Sequence, residues 1–115
     1  MARWSKKHTA VAAGASVTNA STLAGQVGNP PTRPSAMQLR ATASGDNVLV
    51  TAYAGERVLV QEQEVSSANR FPILGQDEVG GPAGVLPLEA VSLVFRNSAA
   101  AARDIYWSVD LLPVA

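Results

Sequence analysis

VSLVFR at residues 91–96 and IYWSVDLL at residues 105–112 are the stretches whose reading decides the fold. In the first, Val91, Leu93 and Phe95 alternate with Ser92, Val94 and Arg96. In the second, Ile105, Trp107, Val109 and Leu111 alternate with Tyr106, Ser108, Asp110 and Leu112. Side chains of a strand point to opposite faces in turn, so a period of two with one apolar set predicts two half-buried β-strands. Trp107 is in phase with the apolar set and is expected in the core. Tyr106 falls on the other face, which makes it a candidate surface contact. Between the two strands, NSAAAAR at 97–103 is rich in the best helix former, but a single turn gains too little to persist by itself. A loop is predicted there.

Working back from this pair, residues 37–44 alternate again, with Met37, Leu39, Ala41 and Ala43 against Gln38, Arg40, Thr42 and Ser44. Gly45, Asp46 and Asn47 supply turn chemistry, residues 48–53 form an apolar run, and Ala54, Gly55 and Glu56 make the next turn. Residues 57–66 begin with Val58, Leu59 and Val60 and turn polar through Gln61, Glu62, Gln63 and Glu64, as an edge strand does. These three segments read as a meander. Phe71, Pro72, Ile73 and Leu74 suggest a short edge strand, and residues 75–87, with four glycines and two prolines, suggest a long surface loop. Six strands joined by unequal turns predict an all-β domain, a single antiparallel sandwich or barrel of jelly-roll or immunoglobulin-like type.

Residues 1–36 have a different character. From Thr9 to Gly28 the chain is mostly Ala, Gly, Ser, Thr, Val and Asn with one leucine, too little apolar bulk to offset the entropy of ordering. Asn29-Pro30-Pro31-Thr32-Arg33-Pro34 then forms a stiff strap, because proline fixes φ and forces the preceding residue into extended geometry. The expectation is an extended, flexible N-terminal arm over 1–36 and a β-domain over 37–115.

Charge follows the same division. Residues 1–45 hold Arg3, Lys6, Lys7, Arg33 and Arg40 and no acid, a net +5; residues 46–115 hold four arginines and nine acids, a net −5. A basic arm seeks an acidic surface, which is nucleic acid, a carboxylate-rich protein, or the body of a neighbouring copy. Trp4, beside Arg3, Lys6 and Lys7, has the makings of a docking anchor, since an amphipathic ring flanked by cations fits a partner's pocket. Arg3, Trp4, Lys6, Lys7, Arg33 and Tyr106 are therefore the candidate partner-binding residues. Nucleic acid is the weakest of the three partners, because five positive charges give modest affinity and the acidic body opposes it.

The residues argue against catalysis. The absence of cysteine excludes disulfides, thiolate zinc sites and a cysteine nucleophile. The single histidine, His8, lies in the arm, where no fixed partner is expected for a triad or a metal. Glu62 and Glu64 share a strand face and Asp77 and Glu78 lie in the glycine-rich stretch, but neither pair has a visible third ligand, so a solvated face is the better reading of both. Gly75, Gly80, Gly81 and Gly84 match no phosphate-binding spacing. No apolar run is long enough to span a membrane, and the basic start lacks the apolar segment of a signal peptide. Neither an enzyme nor a cofactor is expected.

The C-terminal stretch VSLVFRNSAAAARDIYWSVDLLPVA, with the Ala/Gly/Pro-rich arm before it, resembles the small virion structural proteins of tailed bacteriophages, such as capsid decoration, cement or head-spike proteins. The resemblance is one of character over arm and domain, with no diagnostic motif. It implies a capsid-associated protein of the virion, assembled in the host cytoplasm, held to capsid or other virion proteins by its arm and forming a homo-oligomer such as a trimer. The alternatives are a carbohydrate-binding or adhesion module, and a head-tail connector or spike or fibre-base component.

Overall fold

The computed structural model describes residues 2–14, 16–18 and 31–113, with 2–4 and 16–18 described by backbone alone. The nine strands, all β and without a helix among the described residues, are β1 (Ala2–Val11), β2 (Ser16–Thr18), β3 (Ser35–Ala43), β4 (Val48–Ala54), β5 (Arg57–Glu64), β6 (Ser66–Ser67), β7 (Glu78–Val85), β8 (Val91–Asn97) and β9 (Arg103–Pro113). They make two sheets. Sheet A has the order β1-β9-β3, with β7 and the two-residue β6 both on the far side of β3; sheet B has the order β2-β8-β4-β5. All pairings are antiparallel except that of β6 with β3.

The alternation predicted for 91–96 and 105–112 builds the core. Phe95 and Leu93 of sheet B, and Trp107, Val109 and Ile105 of sheet A, are fully buried between the sheets together with Met37, Leu39, Val48 and Val50. Alanine contributes by being small: Ala41 lies beside Trp107 in register, Ala52 beside Leu93, and both are inaccessible to solvent. Large side chains alternating with small ones let two facing layers interdigitate.

The chain crosses between the sheets at most connections. β3 and β4 are not a hairpin, as a meander would require; β4 and β5 alone among the expected neighbours pair directly, through a turn in which Gly55 takes the left-handed φ of +60°. Two further expectations are corrected. Residues 71–74 form no strand, because Pro72 and the turn at 74–76 interrupt it, and Ile73 N–H is taken by the Asp77 carboxylate at 2.7 Å. The glycine-rich stretch read as a loop contains β7, which runs along β3 from Ser35↔Val85 to Arg40↔Glu78 and buries Val79 and Val85. Its glycines absorb an irregularity in register, with Gly80 at φ +68°.

The start of the chain is the fourth correction. Ala2–Val11, expected to lie in a flexible arm, is the edge strand of sheet A and pairs with β9 from Ala2↔Leu111 to His8↔Ile105. Ala10 takes a positive φ of 53° at a bulge, and its N–H donates to Asp104 Oδ1 at 2.8 Å. The segment holds because Asn97, fully buried at the end of β8, reaches across the corner. Its Nδ2 donates to the carbonyls of Val11 (3.0 Å) and Ala12 (3.3 Å) and also to Ala101 (3.0 Å), while Oδ1 accepts from Ala99 N–H (3.0 Å). One amide thus closes both the β1–β2 corner and the alanine-rich link, which is a loop as expected. The remainder of the expected arm, residues 19–30 with the first proline of the strap, lies outside the described residues.

Candidate protein interface

The two sheets differ in what covers their outer faces. On sheet B the outward residues of β4 and β8 are half-exposed. On sheet A the outward residues of β3 and β9 include Arg40, Thr42, Tyr106, Ser108 and Asp110, all of them buried. The covering layer is the irregular segment 68–77. Thr42 Oγ1 donates to the Arg70 carbonyl, Tyr106 Oη donates to Asn69 Oδ1 at 2.8 Å, and Phe71 meets the Tyr106 ring edge-on at 5.0 Å between centroids.

Polar groups buried under such a layer must satisfy one another. Arg40, 7% exposed, does so with two acids: Nη1 donates to Asp110 Oδ2 at 2.6 Å and Nε to Glu78 Oε2 at 2.7 Å. Burial by itself would lower the guanidinium's pKa, but the hydrogen bonds to Asp110 and Glu78 more than offset it and the net direction is up. Glu78 is held below the usual carboxylate range, first by the Gly75 N–H at 2.8 Å and then by Arg40. Asp77 is buried too, with Arg70 Nη1 at 3.2 Å as a facing charge, not aligned as a hydrogen bond. The acids at 77 and 78, considered above as a cation site, are therefore engaged with arginines. Glu62, the other acid considered, pairs with Arg96 at 2.9 Å, and Glu64 accepts the Asn47 N–H at 3.1 Å.

What the covering segment shows to solvent is apolar. Phe71 is 50% exposed, Ile73 42% and Leu74 70%. Phe71, Pro72 and Leu74 form one wall of a cleft of about 210 Å³ whose other lining residues are Ser5, Arg40 and Ser108. Further along the same face, beyond the end of the cover, a second hollow of about 260 Å³ is lined by Ala36, Met37, Gln38, Pro82, Asp110 and Leu112, with Leu112 half-exposed. The outer face of sheet A is thus a step: an apolar ledge, a floor of compensated charge, and an apolar hollow. Exposed apolar groups gathered beside polar ones mark surfaces that other proteins cover.

The candidate residues from the sequence are distributed unevenly on this frame. Arg3 and Trp4 lie in β1 opposite Asp110 and Val109, and their side chains are outside the described residues. Lys7 is exposed, its Nζ 3.9 Å from Asp104 Oδ2 and 5.1 Å from the centre of the Tyr106 ring. Lys6, half-buried, is opposite Trp107. Arg33 is exposed just before β3, at the end of sheet A away from Tyr106. Tyr106 itself is a correction: it faces outward from the core as its phase implied, but the segment 68–77 buries it, so it is a support for the ledge and not a free contact. His8, expected without a partner, accepts the indole N–H of Trp107 at 3.3 Å and lies 6.5 Å from the Phe95 ring. Phe71, Ile73, Leu74 and Leu112 are the surface residues that sequence reading missed. Their signal was an apolar run with a proline in it, which reads equally as a strand.

No family model matches the chain, and no curated protein matches it either.

Proposed function

We propose that the protein is a non-catalytic structural component of a virus particle, a capsid-associated protein that docks on the shell by the outer face of sheet A. The order β1-β9-β3-β7 over β2-β8-β4-β5, with the chain passing back and forth between the sheets, supports a jelly-roll topology, an architecture used by viral capsid proteins, lectins and cupins alike. Because one fold serves many functions, the surface has to choose among them. The observation that carries the choice is the apolar ledge of Phe71, Ile73 and Leu74 beside the cleft. A sugar site calls for aromatic platforms ringed by hydrogen-bonding groups; of Tyr53, Phe71 and Tyr106, Tyr106 is covered, Tyr53 lies on the other sheet, and Phe71 is flanked by aliphatic side chains. Aliphatic side chains flanking one aromatic fit a protein surface, where burying the exposed part of each yields about 1–2 kcal/mol.

Quantitative mass spectrometry of purified virus particles made in cells expressing the chain tests this reading. The expected result is many copies per particle, reduced at least tenfold by Phe71→Asp with Leu74→Asp in a protein that still melts cooperatively. Absence of the wild-type chain from particles, or equal incorporation of the variant, overturns it.

A further inference from the structure

The two long edge strands of the sandwich lie on opposite flanks. β1 ends sheet A on the side where β2 ends sheet B, and the Asn97 amide ties that corner together. β5 ends sheet B on the other side, where it meets β7: a Cβ placed on Gly80 would stand 3.2 Å from Val60 Cγ2. The remaining edges offer less: register irregularities occur in β1, β5 and β7 alike, so length and free N–H groups decide. β2 has three described residues, and β7 carries Pro82, which has no N–H. Among the described residues β1 and β5 are left as edges of ten and eight residues, each paired on one side.

Their charges are opposite. β1 contains Arg3, Lys6 and Lys7 and no acid, whereas β5 contains Glu62 and Glu64 with Glu56 just before it, against Arg57 alone. Arg57 is already engaged, bound to Glu89 through two hydrogen bonds of 2.9 and 2.5 Å. Among the described residues no carboxylate lies within ion-pair distance of Lys6, and Glu56 and Glu64 have no cation within that distance. Edge charges of this kind refuse pairing with their own kind. Two β1 edges bring lysine to lysine, and two β5 edges bring glutamate to glutamate. A lysine on a strand edge is accommodated when the incoming strand offers a carboxylate, so the pairing left open is β1 with β5 of another copy.

We infer that this protein self-associates head to tail, the β1 flank of one copy against the β5 flank of the next, with Lys6 facing Glu64. The contact is heterologous, because it joins two different surfaces, and it leaves each end of a dimer with one unused flank. Growth therefore stops only when a ring closes. This inference does not rest on the particle reading, since it uses the flanks and not the outer face of sheet A.

Analytical ultracentrifugation of the full chain at 20 mM and 500 mM salt, with Lys6→Glu, Glu64→Lys and their equimolar mixture, tests it. The wild type is expected to form species larger than a dimer at low salt, weakened at least tenfold at high salt. Each variant alone is expected to be monomeric and the mixture to associate again, since it restores an opposite-charge contact at every junction. A wild type that stays monomeric at low salt, or a variant that associates like the wild type, overturns the inference. Zero-length amine-to-carboxylate cross-linking of mixed light and heavy wild-type chains gives a check that needs no variant. Links from Lys6 to Glu64 between differently labelled copies are expected, and Lys6 links confined within one copy overturn the inference.

Discussion

Sheet A and sheet B share one core and differ in everything outside it. Sheet B shows the core one face and water the other, so β4 and β8 alternate regularly between buried and half-exposed residues. Sheet A is covered twice. Its central strand β9 is buried without a break from Ile105 to Leu111, with polar and apolar residues equally enclosed. The difference teaches that alternation in a sequence identifies the side chains meeting the opposite sheet, and says nothing about a third layer. Where a loop covers the outer face, residues chosen for water must be satisfied by one another. Arg40, Asp110 and Glu78 show how.

Removing the shared part is the harshest way to break this comparison. Trp107→Ala empties the largest fully buried side chain, and the expected loss is about 3–5 kcal/mol, read from urea unfolding of the full chain. A substitution confined to the covered face comes next. Arg40→Ala removes the guanidinium that donates to both Asp110 and Glu78 on the covered face and is expected to cost roughly 3 kcal/mol, whereas Arg96→Ala, which breaks an exposed pair with Glu62 on sheet B, should change stability by no more than about 0.5 kcal/mol. Equal effects of these two arginines in the same unfolding assay would erase the distinction between the faces.

The mildest test uses acid. Glu89 accepts from Arg57 and from the Leu86 N–H, and these hold its pKa at about 2, below an ordinary value of 4.5. A carboxyl whose folded value is depressed stabilises the native state fully above the unfolded value and loses that contribution as pH falls through the folded one. Between pH 4.5 and about 2, Glu89→Gln is therefore expected to show a shallower fall in melting temperature than the wild type, with the two curves parallel above that window.

The core was legible because period two runs through 37–44, 91–96 and 105–112 and 48–53 is a compact apolar run, and the turn at Gly55 announced itself by residue type. β7 was not. Its buried contacts are Val79 and Val85, separated by Gly80, Gly81, Pro82, Ala83 and Gly84, and it becomes a strand only because β3 offers it a ladder. β1 was hidden for a related reason: Lys6 and Lys7 break its pattern, and the partner that fixes it, Asn97, is eighty-six residues away from Val11. The surface site was half legible. The phase of Tyr106 placed it on the correct face, but its burial depends on the segment 68–77, whose path is set by hydrogen bonds to Asn69 and the Arg70 carbonyl that no local pattern encodes.

The Asn97 amide also sets how the molecule opens. Peeling β1 away from its N-terminal end breaks ladder bonds one at a time, each replaced by water, until the opening reaches Val11. Beyond that point a fully enclosed amide would have to give up two acceptors at once and remain without solvent. Unzipping from the N-terminal end of β1 is therefore arrested at a single side chain, and amide hydrogen exchange along β1 is expected to slow stepwise at the bulge. Asn97→Ala would remove the step and let the opening run on into β2 and β8.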